Sequence, residues 1–309
     1  MHNHAPDPEL TRRQFLGFLA AGAGALMLTA CTDDAPAELQ LVSLFSPDRV
    51  IVAGIEQRLP FGVVGNGISL VGEGEPVSVR ILSDGAVIDD YVVPGRVVGH
   101  DHPEGNAEAP HSHSSILRYY ALRATLPSPG VYDLEVTYGS QTARLPVQAF
   151  AQADVAVLGV GQQFPAVTTP TTTDHIGVEP LCTRAPEPCP FHDHTPAELL
   201  AAGQPFVLLV ATPAYCATAY CGPGLDVLIE AKAAIGDLAV IHAEVYANPD
   251  EVGGNIASPD IRHAPIIEQL GLTFEPSLFL IDASGIVVER IDNVFDRTEF
   301  DAVVTQLLS

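Results

Sequence analysis

The sequence predicts a two-part fold, an all-β sandwich followed by an α/β domain, and three observations predict it. Between residues 39 and 150, apolar and polar residues alternate in short runs, each closed by Gly, Pro, Asp or Ser. After about residue 162 the runs become continuous and apolar, as in strands buried on both faces, with helical stretches between them. Apart from Cys31, every cysteine lies in that second part. A chain of 309 residues is long enough for two cores of ordinary size.

The N-terminus reads as an export signal. Thr11-Arg12-Arg13-Gln14-Phe15-Leu16 is a twin-arginine signature, and an apolar stretch follows from Phe15 to Leu28. That stretch is too short for a stable span, which takes about 20 residues. It ends in Leu28-Thr29-Ala30-Cys31, which resembles the lipobox of bacterial lipoproteins. The resemblance implies cleavage before Cys31 and lipid on its sulfur. The mature chain is then expected outside the cytoplasm, tethered to the cell membrane, where disulfides persist. Residues 32–38 read as a short polar linker.

Strand signals fill residues 39–150. Val77–Leu82, Tyr119–Leu126, Val131–Tyr138 and Ala143–Phe150 alternate, with Ser83-Asp84-Gly85 and Pro127-Ser128-Pro129-Gly130 as breakers. Short strands at this spacing predict a sandwich of immunoglobulin-like type, stapled by no cysteine. Within it, "HDHPEGNAEAPHSH" carries His100, His102, His111 and His113 as two His-x-His pairs. Four imidazoles would suit Zn²⁺ or Cu²⁺. The stretch between the pairs has no pattern that fixes ligand geometry, so a solvated loop is the expectation.

Residues 151–161 link the halves. Beyond them, Pro165, Pro170 and Pro180 forbid regular helix. Thr195-Pro196-Ala197-Glu198 then opens a helix, with Thr as N-cap, Pro at the first position and Glu at the third. Val207–Val210 and Leu238–Tyr246 read as buried strands, and Leu225–Ala234 and Pro265–Leu272 as helices. A strand pair turns at Ala283-Ser284-Gly285, and a last helix capped by Thr298 runs towards Leu308. The order β-α-β-α-β-β-α predicts an α/β domain over residues 162–309.

Composition excludes other classes. Apolar residues make up 47% and charged residues 17%, which is globular. The net charge is −24 and Lys232 is the only lysine, so nucleic-acid phosphates are no partner.

The chemistry is predicted at "VLLVATPAYCATAYCGPG", Val207–Gly224, where Cys216 and Cys221 follow a buried strand. A cysteine where a strand enters a helix N-terminus meets unpaired N–H groups, which favour the thiolate. Five residues of ideal helix separate Cα atoms by roughly 8–9 Å, whereas a disulfide needs about 7 Å or less. Cys216 must therefore lie ahead of the helix if the two are to bond, and Pro223 places the helix start near Gly222.

"FVLLVATPAYC" (Phe206–Cys216) and "EPSLFLIDASGIVV" (Glu275–Val288) resemble the thioredoxin superfamily over about half the chain. The resemblance implies a thioredoxin-like domain in which Cys216 and Cys221 are the redox dithiol. It also implies that Pro276 is a cis-proline facing them. The expected activity is thiol–disulfide oxidoreduction on a protein or small-molecule disulfide or thiol, with no cofactor. "TPAYCATAYCG" also resembles Q-type (bacterioferritin-comigratory) peroxiredoxins, in which Cys216 would attack peroxide and Cys221 resolve. Those enzymes carry an arginine near the late strand, where this chain has Pro276-Ser277, so exchange is the favoured reading. Copper delivery, as in cytochrome-oxidase assembly proteins of the superfamily, would add His242 or His263 to the two thiolates. A reading of a different class is a non-enzymatic lipoprotein that binds a partner or metal through its sandwich or His loop.

Cys182 and Cys189 remain. Beside Pro186 and Pro188 they read as a structural bridge, or else as a second redox pair feeding Cys216–Cys221. His192 and His194 read as exposed, with Zn²⁺ on these histidines and the two cysteines as the alternative. Asp226 and Glu230 read as helix-surface charges.

Overall fold

Fifteen consecutive residues, Ala86–His100, form one strand (β5) that pairs with two different neighbours, and this strand decides the architecture of the first half. In the computed structural model, which describes residues 38–308 except 47, 101–114 and 217, residues 86–94 of β5 pair with β4 (Pro76–Ser83). Residues 95–100 pair with β6 (Ser115–Thr125). The changeover falls at Pro94-Gly95. A Cβ on Gly95 would lie 2.1 Å from the Gly72 carbonyl oxygen, so only glycine lets the strand bend there.

The remaining strands are β1 (Leu39–Ser43), β2 (Glu56–Gly65), β3 (Ile68–Ser69), β7 (Gly130–Tyr138) and β8 (Gln141–Ala149). All pair antiparallel in the order β1-β2-β6-β5-β4-β7-β8, with β3 on β2. The two ends of this order come together. β1 lies beside β8, and the Leu39 N–H donates to Gln141 Oε1 at 3.1 Å. Leu59, Phe61, Val79, Ile81, Leu122 and Leu134 are buried inside.

The second sheet has the order β10-β9-β11-β12. Its strands are β9 (Phe206–Val210), β10 (Ala239–Ala243), β11 (Ser277–Ile281) and β12 (Val287–Asp292). β9 runs parallel to β10 and antiparallel to β11, and every residue of β9 and β11 is buried. Val207 and Leu209 pack with residues of α2 (Cys221–Ala231) and α4 (Arg297–Leu308). Phe206 and Leu208 pack with α1 (Pro196–Ala202) and α3 (Pro265–Leu270). The Thr195–Glu198 capping box closes at both bonds, as its spacing predicts. α4 is capped instead by Asp296, whose Oδ1 accepts from the Glu299 N–H at 2.8 Å, rather than by Thr298.

The predicted fold class does not hold. The first half is not an immunoglobulin-like sandwich of two sheets. It is a single eight-stranded antiparallel sheet curled almost shut, because β5 is shared where a sandwich would have a gap. Nor is the molecule an α/β thioredoxin-like fold. It is mostly β and only 17% helical, with α-helices of 7, 11, 6 and 12 residues.

The curled sheet and the second sheet share one compact unit. Arginines join them. Arg58 on β2 donates to both carboxylate oxygens of Glu299 on α4, at 2.8 and 2.9 Å. Arg96 on β5 reaches Asp296 at 3.0 Å, and Arg123 on β6 reaches Glu289 on β12 at 2.8 Å. Among the described residues no helix is long and apolar enough to cross a membrane. Arg12, Arg13, the apolar stretch after them and Cys31 lie outside the described residues, as do His102, His111 and His113.

Candidate functional site

Cys216 and Cys221 are bonded to each other, with Cα atoms 6.1 Å apart. The helix makes this possible by starting late. α2 begins at Cys221, so Cys216 sits in the loop that leaves β9 at Val210. Loop anchors fix its approach. The Ala214 N–H donates to Thr183 Oγ1 at 3.2 Å, and the Tyr215 hydroxyl donates to Asp250 at 2.8 Å.

The two sulfurs differ in exposure. Cys221 is fully buried at the first position of α2, and Cys216 is half-buried, its Sγ 3.4 Å from Thr218 Oγ1. No side chain caps α2, so the Cys221 and Gly222 N–H groups put the partial positive charge of the helix start beside the disulfide. That field favours a thiolate by roughly 0.5–2 kcal/mol. For Cys221 burial opposes it, while Cys216 keeps contact with solvent.

The Glu275–Pro276 peptide is cis. The carboxylate of Glu275, buried at 7% exposure, has an oxygen within 4.8 Å of both sulfurs. Sequence reasoning passed over Glu275. Its place beside the dithiol arises from β11 lying next to β9, which no local pattern records. Beyond the helix start, Leu44, Val64, Leu117, Tyr220 and Val294 border a cleft whose floor belongs to the curled sheet. Asp226 on α2 pairs with Arg184 at 3.4 Å.

A second cluster lies behind the Cys216 loop. Cys182 and Cys189 are not bonded to each other, and both are buried. His192 is 2% exposed, contrary to the expectation of an exposed ring, whereas His194 is exposed. His242, on β10, is fully buried between them. Cys189 Sγ lies 3.2 Å from His192 Nε2 and 3.4 Å from His242 Nδ1, and Cys182 Sγ lies 3.7 Å from the same Nδ1. His242 Nε2 donates to the Ala211 carbonyl at 3.0 Å. That bond fixes the tautomer, so in the neutral ring the Nδ1 lone pair points at the sulfurs.

A hydrogen bond from Cys189 holds Cys182 well below the ordinary thiol range, and Cys189 is correspondingly pushed up. The Cys189 backbone N–H also donates to Cys182 Sγ at 3.4 Å. Burial works against a charged His242, but the Cys182 sulfur and the Glu244 carboxylate together raise it above its ordinary value. Burial pushes Glu244 itself up to about 7, and its Oε1 accepts from the Thr183 N–H at 2.6 Å. His263 is elsewhere, stacked on Tyr246 at 5.5 Å. Strand β5 ends at His100.

Comparison with family models, with characterised proteins and with solved structures finds no match.

Proposed function

We propose that this chain exchanges disulfides through Cys216 and Cys221. One observation carries the reading: two bonded sulfurs of unequal exposure, the outer on a loop and the inner at a helix start. A disulfide built only to staple gains nothing from an accessible sulfur, whereas exchange requires one sulfur that a partner can reach.

In the reducing direction the Cys216 thiolate attacks one sulfur of a substrate disulfide. The substrate S–S bond breaks, its second sulfur leaves as thiolate, and a Cys216–substrate disulfide forms. Cys221 loses its proton and attacks Cys216 Sγ, releasing the first substrate sulfur as thiolate and closing the Cys216–Cys221 bond. Two electrons pass from the dithiol to the substrate, and the reverse sequence oxidises a substrate dithiol. The α2 terminus supports the Cys216 thiolate. The Glu275 carboxylate stands where the proton of buried Cys221 must go. The twin-arginine stretch and the Cys31 lipobox support an exported, lipid-anchored setting, in which such a couple meets oxidised proteins.

The test is insulin-disulfide reduction by the full chain with dithiothreitol as electron donor. Cys216→Ser is expected to abolish it, and Cys221→Ser to trap a substrate adduct on Cys216 visible by mass spectrometry. An unreactive Cys216–Cys221 bond in the native chain would remove the proposal. A rate with hydrogen peroxide a thousandfold above the rate with disulfides would replace it by peroxidase chemistry.

A further inference from the structure

We infer that Cys182, Cys189, His192 and His242 form a four-coordinate zinc site. Their ligand atoms all lie within 4.8 Å of one another, and all four residues are buried. Bond lengths decide the match. Zinc bonds of about 2.3 Å to sulfur and about 2.0–2.1 Å to nitrogen, spread tetrahedrally, set sulfur and nitrogen about 3.5–3.6 Å apart. Three of the four sulfur–nitrogen separations here are 3.2, 3.4 and 3.7 Å, and the fourth is within 4.8 Å.

The chemistry of the donors agrees with the geometry. Two thiolates cancel the charge of Zn²⁺, so the loaded site buries no net charge. The bond from His242 Nε2 to the Ala211 carbonyl turns Nδ1 towards the metal position, as a partner beyond the ligand does in built zinc sites. The Cys189 N–H donating to Cys182 Sγ is the bond a metal thiolate needs to spread its charge. Four protein ligands and no exposed side chain leave no coordination position open, which marks a structural site rather than a catalytic one. Zinc is favoured over copper because the set is a closed S₂N₂ tetrahedron in which no methionine takes part.

The site also has a place in the fold. Cys182, Cys189 and His192 lie on an irregular segment rich in proline, and only His242 belongs to a sheet strand. Zinc would therefore pin residues 182–192 to β10. Through Ala211 on one side and Thr183 on the other, it would steady the loop that presents Cys216. This inference stands without the exchange activity and rests on different residues.

The test uses the full chain as a Cys216→Ser, Cys221→Ser double variant, which removes the other close pair of thiols. Purified under reducing conditions and dialysed against Zn²⁺, it is expected to hold one zinc per chain. Co²⁺ in its place should give the visible absorption of a tetrahedral thiolate centre. Cys189→Ser and His242→Gln should each lose the metal and the cobalt spectrum, while His194→Ala, at the exposed neighbour, keeps both. Thermal melting gives a readout on the intact chain, because zinc that binds only the folded state raises the transition and a chelator lowers it. Absence of stoichiometric zinc in the double variant would overturn the site. So would a retained cobalt spectrum in folded Cys189→Ser, a clear preference for Cu(I), or a Cys182–Cys189 disulfide mapped in the exported chain.

Discussion

The carboxylate of Glu275 stands within 4.8 Å of two sulfurs, at a distance where two negative charges oppose each other by about 3–4 kcal/mol at an effective dielectric of 20. That repulsion disfavours carboxylate and thiolate being ionised together. In the proposed exchange, Glu275 takes the proton that Cys221 gives up and returns it when the disulfide is next reduced. Glu275→Gln keeps the shape and removes the base. The expected result is a resolving step slowed about a hundredfold, within the range for a lost general base. The Cys216–substrate adduct should then accumulate and be seen by mass spectrometry. Unchanged turnover with no adduct would show that solvent takes the proton instead. The cysteines of this site were legible in the sequence because both lie in one stretch, and the spacing of five already placed Cys216 ahead of the helix. Glu275 was not, and His242 was legible as a ligand only beside Cys216 and Cys221, whereas it lies against Cys182 and Cys189. Glu275 reaches its sulfurs because β11 lies beside β9, and His242 reaches its own because the segment carrying Phe191 runs along β10, so the partners are 53 to 60 residues apart in the chain.

Strand β5 shows the same limit for an element. Its apolar residues do not alternate cleanly, and Pro94-Gly95 reads as an interruption, so no local rule marks fifteen residues as one strand. Neighbouring β4 alternates from Val77 to Ile81 and was readable, because one face meets the core and the other meets water. What turned an expected sandwich into a curled single sheet was thus the element that breaks the pattern. Gly95 can be probed directly. A Cβ there would meet the Gly72 and Glu75 carbonyl oxygens at 2.1 and 3.0 Å, and backbone atoms cannot swing away as a side chain can. Gly95 also bonds through its N–H to Glu75 and through its carbonyl to Gly74, so the corner has little freedom to shift. Gly95→Ala is expected to cost about 1–3 kcal/mol, the range for forcing extra atoms into packed structure. Gly99→Ala, in the same strand with open space at its Cβ, is expected to be near neutral. Urea midpoints of the two variants decide the matter: equal midpoints would mean the corner is not held by this close approach.

At the scale of the whole molecule, an acidic chain with 14 cationic side chains spends several of them in one place. Arg58, Arg96, Arg123 and Arg290 all tie the curled sheet to β12, α4 or the segments beside them. Of these, Arg58 is the most enclosed. It lies over the Tyr119 ring, and Tyr119 donates to the same Glu299 at 2.6 Å. Burial alone would raise the Glu299 carboxyl, but Arg58 outweighs it and holds the group below its ordinary value of 4.5. A depressed carboxyl contributes stability that is complete above the unfolded value and is lost as pH falls through the folded one. For this pair, the loss belongs below about pH 4.5. Arg58→Met inverts the local balance, since Glu299 is then buried without its main counter-charge and burial pushes its carboxyl up. The variant should be destabilised by about 3–5 kcal/mol at pH 7, the cost of orphaning one member of a buried pair. The deficit should shrink as pH falls towards 4, because the Glu299 carboxyl of the variant, pushed up by burial, takes a proton there. Denaturant melts of both proteins from pH 4 to pH 7 measure the difference. A gap that stays constant over this range would mean that the arginine stem packs the two sheets together and that its charge does not. Replacing both partners, Arg58→Met with Glu299→Leu, should recover most of the loss, because two apolar side chains leave no charge stranded between the sheets.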